Sequence, residues 1–214
     1  MIQRRDLLIA AALVPVAGHS FAASSYTAGK EYLVVNPPAP SSRDTIEVIE
    51  FFAYTCPHCL KFEPTINAWK KNLPADVTFR VCPVAWQPKF LPFTQTYYAL
   101  DALGLLDKLH LKFFESVIYQ ERTYNFENPA ADIAEFMADN GVDAKKWEQT
   151  MRSFGVQNKA RIATQTWQAY QIDSTPMVGV AGLYTTGAHL VGTREQTPAA
   201  IDFLINEVRR QRRG

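Results

Sequence analysis

Ile46-Glu47-Val48-Ile49-Glu50-Phe51-Phe52-Ala53-Tyr54-Thr55-Cys56-Pro57-His58-Cys59 decides the fold. From Ile46 to Ala53 the run is apolar on both faces except at Glu47 and Glu50, the pattern of a central strand covered by helices. A helix then opens at the cysteines, with Pro57 at the first helical position, where a missing N–H costs nothing. A Cys-x-x-Cys at a strand-to-helix junction reads as a redox pair. Cysteines three apart on a first helical turn lie about 5–6 Å from each other, within reach of a disulfide. The pair can cycle between dithiol and bridge with little backbone movement. A static bridge over so short a loop would stabilise little. A zinc site needs about four ligands. Beyond the leader the chain offers only His58, His110 and His189, with no second cysteine pair.

Each candidate residue has a chemical reason. At a helix N-terminus the Cys56 sulfur faces unsatisfied backbone N–H groups and the positive end of the dipole, which favour a thiolate. A stabilised thiolate makes the disulfide a stronger oxidant. Cys59, one turn in, is the releasing sulfur. His58, between the two, is read as tuning the thiolate, against an exposed imidazole without a role. Glu50 in an apolar strand must be neutral or hydrogen-bonded if buried, and can then accept and return the Cys59 proton. The competing reading is a carboxylate at the sheet rim, paired with a lysine. Thr175-Pro176 precedes a later strand. A cis bond there would aim the Thr175 backbone at the sulfurs and leave it to pair with an extended client, whereas a trans bond would make an ordinary turn. Cys82, in an apolar strand, is read as a buried inert thiol. His110, Trp69, Trp86 and Trp147 are assigned to packing.

Outward from the motif, Val77 to Val84 reads as a second strand, and Pro64 should kink the helix between them. From Thr94 to Tyr170 the apolar period becomes helical: Leu106, Leu109, His110, Phe113, Phe114 and Val117 keep one stripe. Asn128-Pro129 starts a helix that Asn140-Gly141 stops, and Asp143 is placed to cap the next. After Thr175-Pro176, Met177–Ala181 and Leu183–Val191 read as strands, the second with a break near Gly187. A last helix starts at Thr197-Pro198 and ends in Arg209, Arg210, Arg212 and Arg213, taken as a solvated cap on the helix dipole. A short strand near Glu31–Val35 and the Pro37-Pro38-Ala39-Pro40 linker precede all of this. The reading is α/β, with an all-helical block inserted between strands. Its boundaries are 23–93, then the insertion 94–170, then 171–214.

Residues 1–22 read as an export signal: Arg4 and Arg5, an apolar Leu7–Ala17, and small residues around Ser20-Phe21-Ala22. Gln3 to Leu8 also fits a loose twin-arginine pattern, and either route leads out of the cytoplasm. Cleavage leaves about 190 residues, ample for one core. Removing Arg4, Arg5 and Asp6 takes the net charge of +1 to zero, so a nucleic-acid partner is not expected.

Val48-Ile49-Glu50-Phe51-Phe52, Cys56-Pro57-His58-Cys59, Pro64, Thr175-Pro176 and Leu190-Val191-Gly192 together resemble the thioredoxin superfamily, and within it the DsbA family of thiol:disulfide interchange proteins. The resemblance implies a thioredoxin fold with an inserted helical domain. By match, Cys56 is the nucleophile, Cys59 the second thiol, Glu50 the buried acid and Pro176 a cis proline. It further implies a soluble, periplasmic, monomeric dithiol oxidase needing no cofactor or metal. Its clients would be reduced, unfolded exported proteins, and a quinone-linked membrane partner of the DsbB type would reoxidise it. One departure is visible. Some members pair the buried acid with a lysine on the following strand, where this chain has Val81, with Arg80 beside it. Alternatives on the same fold are a reductase or an isomerase, although no segment supplies a dimerisation module. A different class is a chaperone-like groove lined by Phe62, Phe90, Phe93 and Tyr97.

Overall fold

The computed structural model describes residues 26–119 and 122–214; the export segment read over residues 1–22 lies outside them. A five-stranded sheet forms from β1 (Leu33–Val34), β2 (Ile46–Phe52), β3 (Val77–Pro83), β4 (Met177–Val180) and β5 (Tyr184–Thr186), in the order β1-β5-β4-β2-β3. β2 runs parallel to β3 and antiparallel to β4, so the apolar run from Ile46 to Phe52 lies inside the sheet. Alternation along β2 sorts its side chains. Ile46 and Val48 join Phe62 and Ile66 of α1 (Pro57–Trp69) and Ile201, Leu204 and Ile205 of α8 (Thr197–Arg213) on one face. Ile49 and Phe51 meet Ala163 of α6 (Phe154–Ala169), with Tyr170 and Ile172, on the other.

Between β3 and β4 the chain is helical: α2 (Leu91–Ala102), α3 (Leu106–Ile118), α4 (Ala130–Asp139), α5 (Ala144–Met151) and α6. Their shared core, with Leu100, Phe113, Phe114, Ile133, Met137 and Trp147, is continuous with Phe52, Tyr54 and Cys59. The helical block therefore packs directly on the motif. Asp143 caps α5, its side chain accepting from the Lys146 N–H at 2.7 Å. Among the described residues no helix is long and apolar enough to cross a membrane.

Two expectations need correction. Leu183–Val191 is not one interrupted strand: pairing ends at Thr186, and Ala188–Val191 forms a helical turn, α7. The Gly187 carbonyl accepts from the Leu190 and Val191 N–H groups at 2.9 and 3.1 Å. Short apolar runs do not separate strand from helix by period. Nor is the basic tail simply solvated. Arg209 clamps Asp76 with bonds of 2.8 and 2.7 Å, and Arg212 donates to the Ser42 and Thr45 carbonyls, tying α8 to the segments that lead into β2 and β3. Pro64 sits inside α1 without ending it.

The β4–β5 turn depends on Gly182, whose φ is +73°. Its carbonyl accepts from the Ala39 N–H and its N–H donates to the Tyr170 hydroxyl, both at 2.8 Å. A Cβ at this position would lie 2.1 Å from the Ala39 carbonyl oxygen. Gly182→Ala is expected to cost about 3 kcal/mol from the left-handed backbone and the clash. Urea unfolding reads this, and an unmoved midpoint would refute it.

Candidate active site

The site sits where β2 hands over to α1. Cys56 occupies the N-cap in extended conformation, and its sulfur accepts the Cys59 N–H at 3.2 Å, completing the first turn. Thr175 faces it across the Thr175–Pro176 peptide, which is cis, and the Thr175 carbonyl accepts from the Cys56 thiol at 3.3 Å. Residues far apart in sequence thus meet at one sulfur. Cys59 is fully buried and Cys56 partly exposed, and both are free thiols. Only the first is open to solvent.

The surroundings separate the two sulfurs electrostatically. A hydrogen bond from the Cys59 side chain draws the Cys56 pKa down to about 6 against the opposing effect of burial, and Thr175 and the backbone N–H groups of Cys59 and His58 add to it. Burial raises Cys59 far above an ordinary thiol, and the neighbouring Cys56 pushes it further. At neutral pH Cys56 is mostly thiolate and Cys59 is protonated. The His58 ring is exposed and lines a groove of about 530 Å³ with Thr175, Pro176, His189 and Arg194.

Glu50 is buried at 2 % exposure, and its Oε1 has no hydrogen-bond partner among the described residues. It shares a face of β2 with Val48 and Phe52, on the α1 side. There it lines a cavity of about 330 Å³ with Glu63, Asn67, Lys70, Tyr97 and His110. Burial holds its carboxyl well above the usual range, and the charge of Glu63 adds to this. The sheet register sets Glu50 beside Val81, while Arg80 pairs with Glu47 at 2.8 Å, so the strand supplies no cation to the acid. Lys70, from the turn that follows α1, is the cation at this cavity.

The packing assignment of His110 is incomplete. Its ring does lie among Phe52, Tyr54, Tyr97 and Phe114. Both nitrogens are also engaged: Nδ1 with the Tyr54 hydroxyl at 2.7 Å and Nε2 with Glu63 at 3.2 Å. Sequence reading passed over Tyr54, Glu63 and Lys70. The available signal was a second acid, Glu63, on the face of α1 that carries Cys59. Trp86 is partly exposed and meets Trp167 edge to face. Cys82 is buried on the opposite side of the sheet, donates to the Ala163 carbonyl at 3.5 Å, and is raised by burial to about 12.

A buried strand leading to an N-cap cysteine, a second thiol one turn in and a facing cis-proline loop before an antiparallel hairpin define a thioredoxin-fold dithiol centre. Comparison agrees. The sequence profile of the family described as Thioredoxin matches residues 40–202. The thiol:disulfide interchange protein DsbA of Bordetella parapertussis is 42% identical over 188 residues, 87% of each chain. That of Burkholderia cepacia is 38% identical over 182 residues, 84% of each chain. The crystal structure of Pseudomonas aeruginosa DsbA superposes with a TM-score of 0.80 at 34% identity, covering 88% of this chain and 97% of that one. The chain belongs to the DsbA family of thiol:disulfide interchange proteins, and so to the thiol:disulfide oxidoreductases.

Proposed function

We propose that the protein is a periplasmic dithiol oxidase that passes a Cys56–Cys59 disulfide to newly exported proteins. The observation that carries this reading is the contrast between the two sulfurs: Cys56 is drawn down to about 6 and Cys59 is pushed up and buried. A client thiolate attacks the Cys56 sulfur of the bridge, the S–S bond breaks, and Cys59 leaves and takes a proton from Glu50. A second client thiolate then attacks the client sulfur of the mixed disulfide and expels Cys56 as a thiolate. The client loses two electrons and gains one disulfide, and the protein gains two electrons as a thiol–thiolate pair. Because the thiolate is stabilised, the last step is downhill. His58 tunes Cys56, and the backbone around Thr175 and Pro176 aligns the client strand.

Residues 1–22 act as the export signal in this reading, and a quinone-linked membrane partner of the DsbB type restores the bridge. The protein works as a monomer without nucleic acid. The thioredoxin-like part comprises residues 23–93 and 171–214, and the insertion residues 94–170. Redox titration against glutathione, paired with oxidative refolding of a reduced disulfide protein, tests the assignment. The expected result is faster refolding and a couple far more oxidising than glutathione. Equilibration at the low potential of a reductant would sink it, as would binding of unfolded client without catalysis.

A further inference from the structure

Glu63 lies four residues beyond Cys59 on α1, so the two side chains share a helix face one turn apart, and both are buried. Glu50 comes up from the sheet into the same cavity. The two carboxyl groups are treated unequally. Glu63 accepts from Asn67 Nδ2 at 2.8 Å and pairs with His110 Nε2 at 3.2 Å, whereas Glu50 Oε1 has no partner among the described residues. His110 is itself fixed from behind by the Tyr54 hydroxyl. Burial keeps the Tyr54 phenol protonated, so a neutral hydroxyl holds Nδ1 and leaves Nε2 turned toward Glu63.

We propose that His110, held by Tyr54, is a positioning residue for disulfide exchange: it keeps Glu63 as the charged member of the carboxyl pair and so makes Glu50 the member that carries the exchangeable proton. This deepens the oxidase reading and rests on it. Two buried carboxylates on one cavity do not both ionise freely, and whichever is better hydrogen-bonded as an anion keeps the charge. The directions agree. Burial opposes the Glu63 charge, but the hydrogen bond and charge of His110, the hydrogen bond from Asn67 and the charge of Lys70 together outweigh it and hold that carboxyl low. Glu50 is raised first by burial and then by Glu63. The other groups at the cavity are Lys70 from the turn after α1, Tyr97 from α2 and Asp107 from α3. Lys70 favours the charge on both acids, and Tyr97 is kept neutral by its own burial. Asp107 is exposed. β3 contributes Val81, without a titratable group. In the exchange, Glu50 gives its proton to Cys59 as the bridge opens and recovers it when the bridge re-forms, while Glu63 stays ionised.

The test is the carboxyl titration of glutamate-labelled, reduced full-length protein by carbon NMR. The parent should show Glu50 titrating above the ordinary range with Glu63 ionised throughout. Glu63→Gln should lower the Glu50 midpoint by about one pH unit, since the neighbouring charge is gone. His110→Leu should bring Glu63 into the titration and lower Glu50 with it. His110→Gln keeps a hydrogen-bond donor for Glu63, and should move both titrations back toward the parent profile. An unmoved Glu50 midpoint in Glu63→Gln overturns the proposal, as does a Glu63 that stays ionised in His110→Leu. The readout needs no client, so it fails or holds independently of the refolding assay that tests the oxidase reading.

Discussion

Cys56→Ser is expected to abolish the proposed client oxidation, lowering the initial rate of oxidative refolding by at least about a thousandfold. A serine hydroxyl cannot form the bridge, and the sulfur that remains, Cys59, is fully buried and held protonated. No client reaches it. Cys59→Ser behaves differently, because the exposed nucleophile survives without its releasing partner. Reduced Cys59→Ser protein mixed with a disulfide-bonded client should accumulate a covalent complex through Cys56, visible on a non-reducing gel, and Cys56→Ser should give none. Refolding activity above a tenth of the parent level in Cys56→Ser would defeat the assignment of Cys56 as nucleophile.

The second large effect is on pH dependence. Thiolate absorbance of the reduced protein should show one sulfur titrating near 6, against about 8.5 for a free thiol. The folded pKa is depressed, so the thiolate stabilises the reduced fold in full above the unfolded value. That contribution is lost as pH falls through about 6. The oxidised protein has no such group. Between pH 5 and 8.5 the reduced form should therefore gain on the oxidised form by about 2 kcal/mol, a figure already discounted for the partial exposure of Cys56. Urea midpoints of both forms at the two pH values measure it. A gap that does not change with pH would show that Cys59, Thr175 and the backbone N–H groups of the first turn do not hold Cys56 anionic.

The scaffold of this site was legible because its signals are local. An apolar run broken only at Glu47 and Glu50 can be little else than a buried strand, and Pro57 after a cysteine fixes the start of a helix. The cis state of Thr175–Pro176 was different: spacing left both isomers open, and only the resemblance pointed to the one observed. The Asn36–Pro37 peptide is also cis, within a segment read only as a linker. The Tyr54–His110–Glu63 chain was illegible because its partners come from elements 56 and 47 residues apart in sequence. His110 sits on a helical apolar stripe, and periodicity reports which face is inward but not what a polar ring will meet there. The contacts of Arg209 and Arg212 were missed for the same reason, since the acceptors they reach lie 133 to 170 residues away in sequence.

Cys82 has a quieter consequence. Its sulfhydryl lies across the sheet from the motif, turned onto the Ala163 carbonyl and kept from ionising. An odd number of sulfurs would ordinarily invite scrambling, with a covalent intermediate migrating inward or two copies joining through the spare group. Secluded in this way, the third sulfur is kept apart from the exchanging pair, and a redox titration is expected to count two electrons in a molecule with three cysteines.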